Sequence, residues 1–355
     1  MYAITNDYFD SFSAIFGPGE CLLNGKWYPL GHFAVEALEM DRSLLWKLKA
    51  AVAEFKPELE VFLAARTASS AAVAQQKLDA VWAILDQIPV YRNLRGSFSG
   101  SQGLFHSMRE HPDRTDDSVT DGTNFHRALA YWLDRLERLP DAVDDFIGNT
   151  SLMLGDYFEN LPARSPAAYA EAYEKYRRTM DAAFQYAEEE DEVDEDLDSI
   201  QLDFPVRLGF RAMAAKDGGA VFGEELTFNE LASFLYTDLY KGMAAGNVPR
   251  RCHNCRHFFL AIGGHDTVYC NRIAPDEAKR TCRQVGAHKK EKRKNESPIH
   301  KEYFKAYNRL KGRKSRGAIS TDKWNQQVAM IQDWRDAALR GELSDAEFKQ
   351  KLDGV

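Results

Sequence analysis

The chain has 355 residues, 44% of them apolar and 12% aromatic, with 46 Lys and Arg against 54 Asp and Glu and a net charge of −8. That length and apolar content fit a folded protein of two domains and exclude a disordered or collagen-like chain. The first residues lack a basic segment followed by an apolar core, and no uncharged apolar run would span a bilayer, so the expectation is a cytoplasmic protein with no membrane partner.

The charge is unevenly spread. Residues 1–250 hold 23 basic and 41 acidic side chains, a net of −18, whereas residues 251–316 hold 18 against 6, a net of +12. A local positive field attracts polyanions whatever the overall balance.

In chain order, Glu20–Leu23 and Lys26–Tyr28 flank Asn24-Gly25, the signature of a tight hairpin. Helical spacing then runs from Phe33 to Phe55 and is expected to stop at Pro57. A second helix is predicted over about 75–88, a long loop over 93–122, and a helix over 125–139. Ser165-Pro166 opens another that carries Tyr169, Tyr173, Tyr176 and Met180. Residues 188–203 contain ten acids and no base, which reads as a solvated linker. Beyond it, Thr227-Phe-Asn-Glu230 has the form of a capping box for a helix ended by Gly246.

Four of the five cysteines then follow as Cys252, Cys255, Cys270 and Cys282, spaced C-x2-C-x14-C-x11-C; only Cys21 lies elsewhere. Thiols gathered this way suit tetrahedral Zn²⁺, with disulfide pairing the alternative that a reducing compartment disfavours. Phe258-Phe259 is predicted as a short strand, Tyr269-Cys270 as its hairpin partner, and Cys282 as the first turn of a helix. His253, His257, His265 and His288 are substitute ligands that read more simply as surface residues. Four thiolates would fill the coordination shell, so the zinc is expected to be structural. No catalytic constellation is visible; Asp141, Asp144 and Asp145 read as solvated, and the chain is not expected to be an enzyme.

The segment His288–Glu296 has no apolar residue. Ser297-Pro298 then opens a helix with Ile299, Tyr303, Tyr307 and Leu310 on one face and Lys301, Lys305 and Arg309 on another. Arg283, Lys289, Lys290, Lys292, Arg293, Lys294, Lys301, Lys305 and Arg309 are the candidate phosphate-contacting residues. Ser320 and Ser344-Asp-Ala-Glu347 cap two final helices, expected as a lid on the zinc module.

The run Arg251-Cys-His-Asn-Cys255, Phe258-Phe259, Tyr269-Cys270 and Thr281-Cys-Arg-Gln-Val-Gly-Ala287 resembles the C-terminal signature of an uncharacterised bacterial family of unknown function. More distantly, it is similar to the CGNR-type zinc finger of stress-induced transcription regulators, although Arg-Gln-Val stands after Cys282 in place of Gly-Asn-Arg. The resemblance implies zinc on the four cysteines and DNA binding by the arm that follows.

The expected fold is mainly α. A helical N-terminal domain with a small β-hairpin covers 1–187 and the acidic linker 188–203. A helix with the four-cysteine, treble-clef-like zinc module and basic arm covers 204–316, and a helical pair 317–355. The expected function is nucleic-acid binding, DNA ahead of RNA, with regulation of transcription as its setting. The alternative is a protein-interaction scaffold that docks an acidic protein surface, with residues 188–203 as an internal competitor for the basic arm.

Overall fold

The structure, a computed structural model, describes residues 12–93, 122–161, 164–189, 206–214, 219–263 and 267–354; for 122–132, 183–189, 213–214 and 290–296 it describes the backbone. The predicted hairpin forms as β2 (Glu20–Leu23) and β3 (Lys26–Pro29), with Asn24 and Gly25 both at positive φ, 48° and 78°. A type I′ turn requires this conformation at both positions. β2 pairs with β1 (Phe12–Phe16), and β1 pairs antiparallel with β5 (Ala220–Phe228) from Phe12↔Phe228 to Phe16↔Glu224. β4 (Arg207–Ala214) completes a five-stranded sheet of order β3-β2-β1-β5-β4.

Thr227 therefore lies in a strand and does not cap a helix. Its hydroxyl is 2.8 Å from that of Ser13 on the neighbouring strand. The following helix starts at Leu231 with Glu230 at its cap position and no side-chain cap bond.

The contacts divide the chain into two compact units, 1–251 with 257–267, and 252–256 with 268–355. Strands β4 and β5, placed after the linker at 204 by the sequence, belong to the first unit because β5 is hydrogen-bonded along β1. The acidic stretch lies mostly outside the described residues, as does the predicted loop over 93–122.

In the first unit the helices are α1 (His32–Leu38), α2 (Ser43–Ala65), α3 (Ala68–Leu85), α4 (Gly122–Leu152), α5 (Pro166–Glu189) and α6 (Leu231–Ala244). The break between α1 and α2 falls at Asp41, whose carboxylate accepts from Ser43 N (2.9 Å) and Ser43 Oγ (2.8 Å). Pro57 does not end α2. An interior proline costs about 3 kcal/mol, but burial of Val52, Phe55, Leu59 and Phe62 on the same helix contributes roughly 1.5–3 kcal/mol each. Burial wins, and α2 continues two further turns. α4 likewise passes through Pro140 and ends in a π-helical stretch, Met153–Phe158. Asp141 and Asp144 on α4 pair with Lys49 on α2 and with Arg42 at its N-cap, respectively.

α6 is buried along most of its length and carries Asp238, which has no solvent exposure. Its carboxylate accepts hydrogen bonds from Gly31 N (2.9 Å), Phe33 N (2.9 Å) and Ala34 N (3.1 Å), the free amides at the start of α1. Asn247 adds a bond to Leu30 O at 3.1 Å. As expected, Gly246 ends α6, at φ 83°. β6 (Val248–Arg251) and β7 (Phe258–Ala261) pair with each other in a second, two-stranded sheet.

The second unit contains α7 (Cys282–Glu296), α8 (Pro298–Ser315), α9 (Thr321–Leu339) and α10 (Asp345–Asp353). Ser297, Ser320 and Ser344 cap α8, α9 and α10 as predicted, the last in a full capping box with Glu347. Tyr303, Ala306 and Leu310 of α8 share one core with Ile331, Ala338, Phe348 and Leu352. The last two helices thus pack on α8, where the sequence predicted a lid on the zinc module, and no boundary falls at 317.

Candidate metal centre

Each cysteine is placed by a backbone device that its neighbours dictate. The first knuckle closes through Arg256 N to Cys252 O at 2.9 Å, with Arg256 at φ 66°. This folding turns the amides of Cys255 and Asn254 toward Cys252 Sγ, and Cys270 N joins them at 3.4 Å. His253 N bonds Val268 O at 2.9 Å, which brings the segment before Cys270 alongside the knuckle.

The eleven-residue gap between Cys270 and Cys282 folds back on itself. Arg283 N reaches Cys270 O (3.0 Å), Cys282 N reaches Arg272 O (2.8 Å), Ile273 bridges to Thr281, and Ala274 N bonds Arg280 O (2.9 Å). The unusual spacing is therefore a closed loop that returns the fourth sulfur to the third. Tyr269-Cys270 is not the hairpin partner of Phe258-Phe259, because β6 occupies that place. Cys282 does begin a helix, as predicted. Thr281 and Gln284 form its capping box, with Thr281 N to Gln284 Oε1 at 2.8 Å and Gln284 N to Thr281 Oγ1 at 3.3 Å.

All four sulfurs lie within 4.8 Å of one another, and Cys255 Sγ is 3.5 Å from Cys270 Sγ. A tetrahedral ion with metal–sulfur bonds near 2.3 Å needs sulfurs about 3.8 Å apart. The set fits such an ion, and the structure joins none of the cysteines in a disulfide. Burial pushes the Cys252 thiol upward, but the amides of Cys255, Cys270 and Asn254 outweigh it and bring it down to about 7. Burial raises Cys270 instead, and its neighbouring sulfurs raise it further. Four such groups cannot all ionise together unless a cation shares their space.

Two residues around the centre, Asn254 and Gly286, were given no role from the sequence. The Asn254 amide donates to Cys282 Sγ at 3.5 Å while its oxygen accepts from Lys289 Nζ at 3.1 Å, linking a ligand to the basic arm. Gly286 lies on α7 where an added Cβ would clash with the edge of the Tyr269 ring. Tyr269 precedes Cys270, so its ring against α7 fixes that cysteine's segment. The Thr281-x-x-Gln284 cap was legible as a pattern; the Asn254 and Gly286 contacts depend on the closed fold.

None of the described histidines joins the cluster. Among the described residues, the one group that can hold a metal is Cys252, Cys255, Cys270 and Cys282. His253 faces Tyr269, His257 pairs with Glu39 at 2.8 Å, His288 is exposed, and His265 lies outside the described residues. Of the basic candidates, Arg283, Lys289 and Lys301 are exposed. Lys290, Lys292, Arg293 and Lys294 lie on α7, with side chains outside the described residues. Lys305 pairs with Glu302 at 2.7 Å, and Arg309 donates to Leu352 O at 2.6 Å.

Residues 201–354 match a family of unknown function, DUF6076. The match reaches no zinc-finger or CGNR-type family. No curated protein and no solved structure matches the chain. Among the described residues, no helix is long and apolar enough to cross a membrane.

Proposed function

We propose that the second unit is a zinc-stabilised module, treble-clef-like in plan, that displays a basic helical surface to nucleic acid, with DNA ahead of RNA. The convergence of the four sulfurs within 4.8 Å carries this reading. Cys252, Cys255, Cys270 and Cys282 hold the ion, which supplies charge neutralisation and a covalent-like cross-link of two turns to the start of α7. A shell filled by four thiolates has no open position for substrate or water, so the ion is structural and the module is not an enzyme. Its contribution is on the order of 10 kcal/mol of binding energy coupled to folding.

Arg283, Lys289, Lys290, Lys292, Arg293, Lys294 and Lys301 supply the phosphate contacts, in a protein working in the cytoplasm as a bacterial regulator of transcription. With about five phosphates neutralised, log K falls with log salt at a slope of roughly −4 to −5. The test is a salt series on metal-loaded protein with random duplex and single-stranded DNA and RNA. A flat salt response, or binding unchanged when Lys289 to Lys294 are neutralised, contradicts it.

A second reading, a scaffold that docks an acidic protein surface, is favoured by the engagement of Lys305 and Arg309 within the second unit. These two charges are already committed to the fold, which thins the phosphate-binding ridge. Salt-sensitive binding to an acidic protein with none to nucleic acid would select it.

A further inference from the structure

Three of the clustered sulfurs are closed to solvent and one is not. Cys252, Cys270 and Cys282 are at most 3% exposed, whereas Cys255 is partly open. Cys255 Sγ lies 3.5 Å from Cys270 Sγ. Cys255 sits in a turn and Cys270 in an irregular segment ahead of α7, and their sulfurs need close by only about 1.5 Å to reach the bonding distance of roughly 2.05 Å. Cys282, by contrast, is fixed at the first residue of α7 by its capping box. Accessible thiolate beside a second thiolate is the arrangement that oxidants find first.

We infer that the centre is a peroxide-responsive switch, in which Cys255 is oxidised first, Cys270 closes a disulfide with it, and the metal is expelled. This rests on the reading of the four cysteines as a metal site. The Cys255 thiolate attacks one oxygen of a hydroperoxide, the O–O bond breaks, and the departing oxygen takes a proton and leaves as water or alcohol. Cys255 is now a sulfenic acid. The Cys270 thiolate attacks that sulfur, the S–O bond breaks, and the hydroxyl takes a proton and leaves as a second water. Two electrons have passed from the sulfurs to the peroxide, two ligands have become one disulfide, and the divalent ion leaves with its charge unchanged. Cys252 and Cys282 alone cannot fill a tetrahedral shell. The basic helix α7 then loses the anchor at its first residue, so oxidation also releases the anionic partner.

The test uses the full-length protein purified with its metal. Metal content before treatment checks the underlying site; a protein that carries no metal refutes that site and, with it, the switch. Excess hydrogen peroxide is then added with a chromophoric chelator present, and disulfides are mapped by mass spectrometry after alkylation. The expected result is one metal ion released for each Cys255–Cys270 disulfide, reversed by a dithiol with added Zn²⁺. Cys21, fully buried, stays reduced and serves as the internal control. Retention of the metal in excess peroxide overturns the inference, as does release accompanied by any other cysteine pairing or by sulfonic acids without a disulfide. Because wild-type protein is used throughout, a cysteine variant that fails to fold cannot obscure the outcome.

Discussion

Asp238 in the first unit and the cysteine cluster in the second both place anionic groups out of water, and they are satisfied in different ways. Asp238 brings one carboxyl to three backbone amides at the start of α1. The cysteines bring up to four charges within 4.8 Å, against a few amides and one Asn254 side chain. Backbone donors give a single buried carboxyl its hydrogen bonds and offset part of its burial, but mutual repulsion among four thiolates exceeds what such donors supply. The buried carboxyl of the first unit is thus hydrogen-bonded by its own chain, while the cysteines of the second form a set that can hold an ion.

The largest effect that would break this contrast is metal removal. Chelation is expected to abolish cooperative melting of the second unit, a loss on the order of 10 kcal/mol, while the first unit's transition stays in place. Calorimetry with and without chelator separates the two. Next comes the removal of the Asp238 carboxylate. Asp238→Ala leaves three buried amides without acceptors and is expected to cost about 3–5 kcal/mol in denaturant unfolding of the first unit.

The same carboxyl adds a pH signature. Burial raises it from 3.8 to about 6, against the pull of the three amides. The folded state therefore binds its proton more tightly than the unfolded chain does, and its contribution is fully present below 3.8 and lost as pH rises through about 6. Stability of the wild type relative to Asp238→Asn is accordingly expected to be greater at about pH 4 than at about pH 7.

Gly286→Ala sharpens the contrast at the metal side. Helix propensity alone would favour alanine by about 1 kcal/mol, but the new methyl group collides with the Tyr269 ring. Overpacking of that kind costs about 1–3 kcal/mol, so a net loss is expected together with weaker metal retention in chelator competition. Asn254→Ala, which removes the donor to Cys282, is expected to weaken metal affinity roughly 10-fold with little change in the first unit.

Local chemistry was legible in the sequence wherever a short pattern decides the structure. The Asn24-Gly25 turn, the serine caps of the last three helices, the apolar stripe through Tyr303 and Leu310, and the four clustered cysteines all stand as read. Features set by distant partners were not. β1 and β5 are paired across some two hundred residues, so Thr227 carried a cap's pattern but a strand's role. Pro57 looked like a stop, and the helix expected over 125–139 was ended too early, because burial of the surrounding helix faces is invisible to a local rule. At the centre, which cysteines come together was readable from spacing. The loop that closes the long gap, and the Asn254 and Gly286 contacts, arise only once the segments meet.

Elemental analysis of protein purified without chelator tests the central claim most directly. One divalent ion per chain is expected, with zinc the ion found, and Cys282→Ser should lose it together with the folded second unit. A chain without stoichiometric metal whose second unit still unfolds cooperatively would contradict the account.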